Sequence, residues 1–412
     1  MKRLIIITML LVIAASCSKE GAILPTSESN NDVIPKEEAL ELVINHSKLL
    51  YPETRSNLNL SISDAITLTK KDLSKATRSV VSSEIPDTAL YIFNFANNSG
   101  YAVTSANRKY GNTLFCITES GSLSVEDFGP IQTRASGDTT GINDGTHFIT
   151  DLITASIMSN EIAPPIDSTE VGGGPGLIID EKYGPLVLTK WQQDVSPFTD
   201  STVVGCPIGC MTVAVGQVIV ANRIANSMIF NGKTCSWDDL ESVCFYSNRT
   251  YTGSSEAKLQ VANFIKVITD ENHCDINFSP NGSSGTMEGA QRTLLSLGYS
   301  SVTINRHLLI DYFTDNDAYT VTNHIKSGKP VIMSGSNGFV GHAWVIDGYI
   351  HYTVNSEFYH INWGYNGLSD GYFWVGSCAM YSRFMRDSID PSWQYGALEN
   401  YDSELQYITY NY

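Results

Sequence analysis

A cysteine in the middle of the chain follows a glycine-rich turn and opens an apolar stretch. The segment GCPIGC at 205–210 runs directly into MTVAVGQVIVAN at 211–222. This pattern predicts a helix that begins at Cys210, where unpaired backbone N–H groups and the positive dipole end favour a thiolate. A buried structural thiol is the alternative for any cysteine, and we assign it to Cys206 because Pro207 follows that residue. Cys210 is therefore the candidate nucleophile.

A histidine framed by glycines supplies the second reactive group. His342 lies in GHAWVIDG at 341–348, at the start of an apolar run that is typical of a strand. A cysteine and a histidine far apart in sequence are the pair that a thiol hydrolase uses, with the imidazole as the base. His351 and His360 remain rivals, whereas the other five histidines lie in the N-terminal part or in helical and loop-like segments.

Further side chains could support this pair. The side-chain oxygen of Asn362 could orient the imidazole, and Trp363 could shield that hydrogen bond from water, although core packing is the alternative for the tryptophan. Acyl transfer also needs donors for the oxyanion. The backbone N–H of Cys210 and the side-chain amide of Gln193 are the candidates, with Gln192 as the less favoured neighbour.

Charge and cysteine spacing exclude other classes of function. The chain has 43 acidic and 26 basic side chains and a formal net charge of −17, so the phosphates of nucleic acid would be repelled. No second Cys or His pair at ligand spacing accompanies Cys206 and Cys210, so no metal site is predicted, and the expected chemistry needs no organic cofactor. The eight cysteines are irregularly spaced and leave any disulfide pairing open.

The start of the chain predicts export. Lys2 and Arg3 precede the apolar run 4–15, which is too short to span a bilayer and has the layout of a secretory signal. Small residues stand directly before Cys17, as in a bacterial lipoprotein cleavage box in which that cysteine carries the lipid. Ordinary signal cleavage is the alternative. We predict a signal peptide at 1–17 and an exported protein, either a lipoprotein of the outer membrane or cell surface or a secreted one.

A tether and a small mixed domain are predicted over 18–165. The first part, to about residue 35, is rich in Ser, Asn, Glu and Pro. The run 35–44 has the pattern of an amphipathic helix, and the strand-like runs 88–95 and 100–105 are joined by a hairpin signal. Proline and glycine clusters then predict an exposed linker at about 163–178.

The remainder, 166–412, is predicted as a second domain in which helices precede strands. Helices are expected after Gly209, behind Ser254 and before Gly298, and strands at 330–334, 342–350, 358–363 and 371–375. The fold class is therefore α+β, with a helical lobe that carries the cysteine and a curved antiparallel sheet that carries the histidine. A peptide could lie in a cleft between the two lobes.

These motifs resemble the streptopain family of bacterial papain-fold cysteine peptidases, over residues of about 180–376. The matching segments are WQQ at 191–193, SPF at 196–198, Gly209-Cys210 with Ala214 and Gln217, GHAWVIDG at 341–348, HINWGYNG at 360–367 and SDGYF at 369–373. The resemblance implies that Cys210 is the nucleophile, His342 the general base and Gln193 an oxyanion donor. Asn362 and Trp363 would support the histidine.

The resemblance carries expectations for the rest of the chain. Enzymes of this family are made as zymogens. The N-terminal unit, residues 18–165, is therefore expected to be an inhibitory prodomain, and the linker at about 163–178 is expected to be the activation region. Ser284 and Gly341 are expected to contact the substrate backbone, and a hydrophobic residue is expected in the second subsite. The sequence departs from the family pattern at Gln192, which replaces a usual glycine, and at the end of the cysteine helix, which lacks the usual aromatic and basic residues.

The sequence therefore predicts an exported cysteine endopeptidase that acts on protein and peptide substrates and is held inactive by its own prodomain. One alternative with the same chemistry is a thiol amidase or a transglutaminase-like acyl transferase. A second alternative is a catalytically idle surface binding protein. The presence of Cys210, His342, Gln193, Asn362 and Trp363 together favours the peptidase.

Overall fold

The computed structural model describes residues 32–51, 61–76, 86–108, 114–128, 178–200, 203, 205–246, 250–280, 282–306, 314–336, 341–353, 356–374 and 403–412. The predicted signal peptide with Cys17, most of the tether and nearly all of the predicted linker lie outside these residues. Export, lipidation and the boundaries of the predicted domains stay predictions.

The described residues form α-helices on both sides of the predicted linker. They are α1 (Lys36–Leu50), α2 (Lys70–Ala76), α3 (Cys210–Asn222), α4 (Trp237–Ser242), α5 (Ser255–Ile268), α6 (Met287–Ser296) and α7 (Asp315–Lys326). Helices α4 to α7 each begin after a Ser or Thr whose hydroxyl accepts a backbone N–H of the first turn, which satisfies one of the donors that a helix start leaves open. None of the helices in the described part of the chain is long and apolar enough to cross a membrane.

The strands are more numerous than the sequence indicates. They are β1 (Ile62–Thr69), β2 (Thr88–Phe95), β3 (Tyr101–Ser105), β4 (Leu114–Thr118), β5 (Ile179–Tyr183), β6 (Ile229–Phe230), β7 (Lys233–Thr234), β8 (Phe245–Tyr246), β9 (Thr250–Tyr251), β10 (Ser300–Arg306), β11 (Val331–Ser336), β12 (Gly341–Tyr352), β13 (Ser356–Asn362), β14 (Gly371–Trp374) and β15 (Ser403–Asn411).

One antiparallel sheet runs through both halves of the chain. Its order is β1-β2-β3-β4-β14-β13-β12-β11-β15-β10, and β5 pairs with the far end of β12. The N-terminal strands join the C-terminal ones where Thr118 of β4 lies opposite Gly371 of β14 and Cys116 lies opposite Phe373. The N-terminal unit therefore extends the C-terminal sheet by one strand-to-strand contact.

Hydrophobic cores lie on the two faces of this sheet. Side chains alternate along β12, so Ala343 and Val345 face a core built on α3, α5 and α6, while Trp344 and Ile346 face a core shared with α1, α7 and β1–β4. Helix α3 is buried from Met211 to Val220, which explains why its sequence is apolar on all sides.

The α+β fold class is confirmed, with the cysteine on a helical side and the histidine on the sheet. The predicted helix in the N-terminal unit, the hairpin of β2 and β3, the three C-terminal helices and the four strands from residue 330 to 375 are all present. The sequence does not indicate β1, β15 or helix α7, nor the continuity of the sheet between the two units.

Candidate active site

Cys210 is the first residue of α3, as predicted. Gly209 before it has φ of +84°, and a Cβ at that position would lie 2.9 Å from the carbonyl oxygen of Ser283. A glycine is needed here because other residues rarely adopt this backbone conformation and the space is already filled. The turn is further fixed by the Thr212 hydroxyl, which donates to the Ile208 carbonyl at 2.7 Å. The thiol is therefore held at the start of a buried helix.

The thiol lies beside the backbone of the histidine strand. Burial raises the pKa of Cys210, and the backbone N–H groups of Ala343, Met211 and Cys210 itself, which favour the thiolate, offset this only in part. Ala343 directly follows His342, so the start of α3 lies against the backbone of β12 next to the histidine.

The imidazole of His342 is buried and faces the loop after β13. Its Nε2 lies 3.0 Å from the carbonyl oxygen of Trp363 and its Nδ1 lies 3.3 Å from the hydroxyl of Tyr365. The ring also stacks on Tyr365, with the centroids 4.9 Å apart and the planes at 12°. A carbonyl oxygen only accepts, so Nε2 carries the proton and Nδ1 accepts from the tyrosine.

The environment of His342 keeps the ring neutral. Burial lowers the pKa of His342 to about 4, and the hydrogen bond to the Trp363 carbonyl offsets this only in part. A neutral imidazole next to a neutral thiol is not the thiolate–imidazolium pair that attacks a peptide bond. Burial thus disfavours the charged forms of both groups in the described structure.

Asn362 is buried, and its amide is used by other partners. Its Oδ1 accepts from Gln217 Nε2 at 3.0 Å and from the Gly364 N–H at 3.1 Å, while its Nδ2 donates to the Thr189 carbonyl at 3.0 Å. In this state the hydrogen bond at His342 Nε2 is made by the neighbouring Trp363 carbonyl. The predicted role of Asn362 in orienting the imidazole stays a prediction.

Trp363 is buried among aromatic rings. Its indole lies 5.7 Å from that of Trp344 and packs edge-on against Phe373 at 5.3 Å. The backbone carbonyl of Trp363 is hydrogen-bonded to the histidine. The side chain of Trp363 packs against Trp344, and Trp344 in turn stacks on the imidazole.

Gln193 lies on the segment that leads past the cysteine turn. Its backbone carbonyl accepts the Ile208 N–H at 2.7 Å, which fixes the half-buried glutamine near the start of α3. Its predicted role as oxyanion donor stays a prediction, as does the lesser alternative, Gln192.

The two residues expected to bind the substrate backbone, Ser284 and Gly341, are both exposed. Ser284 is exposed and exchanges backbone hydrogen bonds with Asn277, and the preceding Ser283 touches Gly209. Gly341 is exposed at the start of β12, opposite Ser336 of β11. Both positions flank the cysteine and histidine, and their substrate contacts stay predictions.

Gln217 is a positioning residue whose function the sequence does not reveal. Its Oε1 accepts the Trp191 N–H at 3.1 Å and the Thr189 hydroxyl at 3.2 Å, while its Nε2 donates to Asn362. It therefore ties the cysteine helix to the Gln193 segment and to β13. A glutamine in an otherwise apolar helix is the signal that could have identified it.

We expect Gln217→Leu to lower the free energy of unfolding by about 3 kcal/mol, because it leaves buried donors and acceptors of Thr189, Trp191 and Asn362 without their partner. Urea unfolding measures the change. Asn323→Leu, at an exposed position of α7, is the matched control and should have little effect. An equal loss in both variants would contradict this interpretation.

Side chains of metal-binding type do not cluster here. Within the described residues, no group of three or more His, Cys, Asp or Glu could hold a metal ion. Cys206, Cys210, Cys235, Cys244 and Cys274 are free thiols.

Comparison with known proteins agrees with this geometry. Residues 191–373 match the Peptidase C10 family, a range that includes Cys210, His342, Asn362 and Trp363. The streptopain of Streptococcus pyogenes is 30% identical over 128 residues, which are 30% of this chain and 30% of that protein. The resemblance to the streptopain family is thus confirmed for the part of the chain that these matches cover.

Solved structures of Prevotella intermedia proteins are also similar. A fragment of prointerpain A shares 17% identity with a TM-score of 0.49, covering 78% of this chain and 95% of that one. Active interpain A shares 19% identity with a TM-score of 0.40, covering 56% of this chain and 95% of that one. This chain spans only 30% of the length of the streptopain it matches.

Proposed function

We propose that this chain is a cysteine endopeptidase synthesised as an inactive precursor. The observation that carries the proposal is the contact between the start of α3 and β12. There the sulfur of Cys210 accepts a hydrogen bond from the backbone N–H of Ala343, the residue after His342. The match of residues 191–373 to the Peptidase C10 family supports the same conclusion.

The proposed reaction uses Cys210, His342 and Gln193. His342 removes the proton of Cys210, and the thiolate attacks the peptide carbonyl to form a C–S bond. The oxyanion is stabilised by the backbone N–H of Cys210 and the side-chain amide of Gln193. The imidazolium protonates the leaving amine as the C–N bond breaks, and water then hydrolyses the thioester to restore the thiol.

The burial of both candidate reactive groups supports the proposal of a precursor, because it disfavours the thiolate and the imidazolium. The imidazole of His342 is hydrogen-bonded to the Trp363 carbonyl and to the Tyr365 hydroxyl. The N-terminal strands pair with β14, which follows the loop that carries those two residues. We therefore propose that the N-terminal unit is the intramolecular inhibitor and that its removal accompanies activation.

Export, a lipid on Cys17, protein substrates and a hydrophobic residue in the second subsite complete the proposal. They rest on the sequence patterns and on the family resemblance.

Alkylation of the processed protein tests this function. We expect casein hydrolysis to require a reducing agent and to fall in proportion to the fraction of Cys210 modified by iodoacetamide, as measured by peptide mass spectrometry. Cys206 is buried and should stay unmodified over the same period. Full casein hydrolysis after complete modification of Cys210 would contradict the proposal, and consumption of an amine acceptor without cleavage would support an acyl transferase.

A further inference from the structure

A carboxylate from the N-terminal unit lies between two cations of the C-terminal unit. Glu119 directly follows β4, and its Oε2 lies 2.9 Å from Lys190 Nζ while its Oε1 lies 3.3 Å from His360 Nε2. The two cations belong to different segments of the C-terminal unit, the strand β13 and the segment before the cysteine turn. A single side chain of the N-terminal unit thus contacts both.

The cations are held by carboxylates of their own unit. His360 Nδ1 lies 2.6 Å from Asp347 Oδ1, and Lys190 Nζ lies 3.5 Å from Asp370 Oδ2. Asp347 and Asp370 are 0% exposed and His360 is 3% exposed, so the site is built into the body of the C-terminal unit. Asp347 occupies only one nitrogen of the imidazole. The other N–H and the ammonium group need an acceptor, and Glu119 supplies it.

The ionisation states agree with this geometry. Burial alone would lower the pKa of His360, but the charges and hydrogen bonds of Asp347 and Glu119 raise it to about 10. Burial alone would raise the pKa of Glu119, but His360 and Lys190 hold it below its usual range. At neutral pH the contact is therefore between full charges.

The backbone contact between the units lacks this specificity. Strands β4 and β14 pair through backbone groups, and the Glu119 N–H donates to the Asp370 carbonyl at 2.7 Å. Both strands are buried, which excludes a slip by one residue because every side chain would move to the opposite face. A slip by two residues would keep the side-chain faces but move the carboxylate by about 6.6 Å, out of reach of Lys190 and His360.

We propose that Glu119 is the acidic anchor that holds the N-terminal unit on the C-terminal unit and sets the register of the β4–β14 contact. The surface that receives it consists of the β14 edge, Lys190 and His360. It fits a strand that carries a carboxylate directly after its last paired residue. This proposal does not depend on peptidase activity.

Hydrogen–deuterium exchange of the full chain tests the anchor. Every variant carries Cys210→Ala, so that self-cleavage cannot alter the result. We expect Glu119→Gln, which keeps the shape and removes the charge, to speed exchange in 114–118 and 371–374 by about ten- to a hundredfold, as expected for loss of a charge-assisted hydrogen bond. Exchange in β2 and β3 should change little.

Two further variants make the result specific. Glu126→Gln removes an exposed acidic side chain of the same unit and should leave exchange unchanged. Lys190→Met should reproduce the effect of Glu119→Gln, and the double variant should show less than the product of the two single effects. Wild-type exchange in Glu119→Gln, or equal acceleration in β2, β3 and β4, would overturn the proposal.

Discussion

Replacement of Cys210 by alanine is expected to lower kcat/KM for peptide hydrolysis by the processed protein by about 10⁴-fold or more. The sulfur is the atom that would form the covalent bond to the substrate, and no other thiol lies at the start of a helix beside β12 within the described residues. The measurement is the initial rate of cleavage of a fluorogenic peptide, with equal amounts of protein verified by circular dichroism.

Cys206→Ala is the matched control. Cys206 lies four residues earlier on the same loop, is buried and precedes a proline, so its loss should leave most of the activity. A Cys210→Ala variant that keeps wild-type activity, or a Cys206→Ala variant that loses it equally, would mean that the nucleophile is misassigned.

Local patterns were sufficient to predict the structural setting of the two candidate reactive residues, a helix that begins at Cys210 and a strand that carries His342. Gly209 before an apolar helical run identifies Cys210 because both the positive φ and the helix start depend on nearby sequence. The glycine-framed strand identifies His342 in the same way. Residue chemistry also singled out Gln193, Asn362 and Trp363, and the catalytic functions of all five residues stay predictions.

Contacts between distant segments could not be predicted. The orientation of the His342 ring depends on Trp363 and Tyr365, which reach it only after β12 and β13 have paired. Glu119 and His360 are separated by 241 residues, and neither lies in a local pattern of charges. His360, a rival for the base, belongs instead to a buried ion cluster.

Within that cluster, Asp347 is expected to contribute strongly to the stability of the fold. Its Oδ1 pairs with His360, and its Oδ2 accepts a hydrogen bond from the Val187 N–H at 3.0 Å. The aspartate is fully buried. Removal of one partner from a buried pair leaves the other charge uncompensated, which costs far more than removal of a surface pair. The same carboxylate thus serves both the C-terminal core and the receptor for Glu119.

Asp347→Ala, in the Cys210→Ala background, is expected to lower the free energy of unfolding by about 3–5 kcal/mol at neutral pH. Asp180→Ala is the matched control, because Asp180 also pairs with a histidine, His351, but its side chain is 60% exposed, so about 0–1 kcal/mol is expected. Urea unfolding of the variants and of their parent measures both changes. Equal losses would show that burial of an ion pair does not determine how much the pair contributes to the free energy of unfolding.

The pH dependence of the same experiment separates the charge of the pair from its packing. Burial lowers the pKa of His360, but Asp347 and then Glu119 outweigh it and raise the value from 6.5 to about 10 in the folded chain. Because the folded value lies above the unfolded one, the stabilisation is complete below about pH 6.5 and is lost as the pH rises through about 10. The difference between the parent and Asp347→Ala should therefore shrink from neutral pH towards about pH 10. A difference that stays constant over this range would show that His360 is not charged in the folded protein.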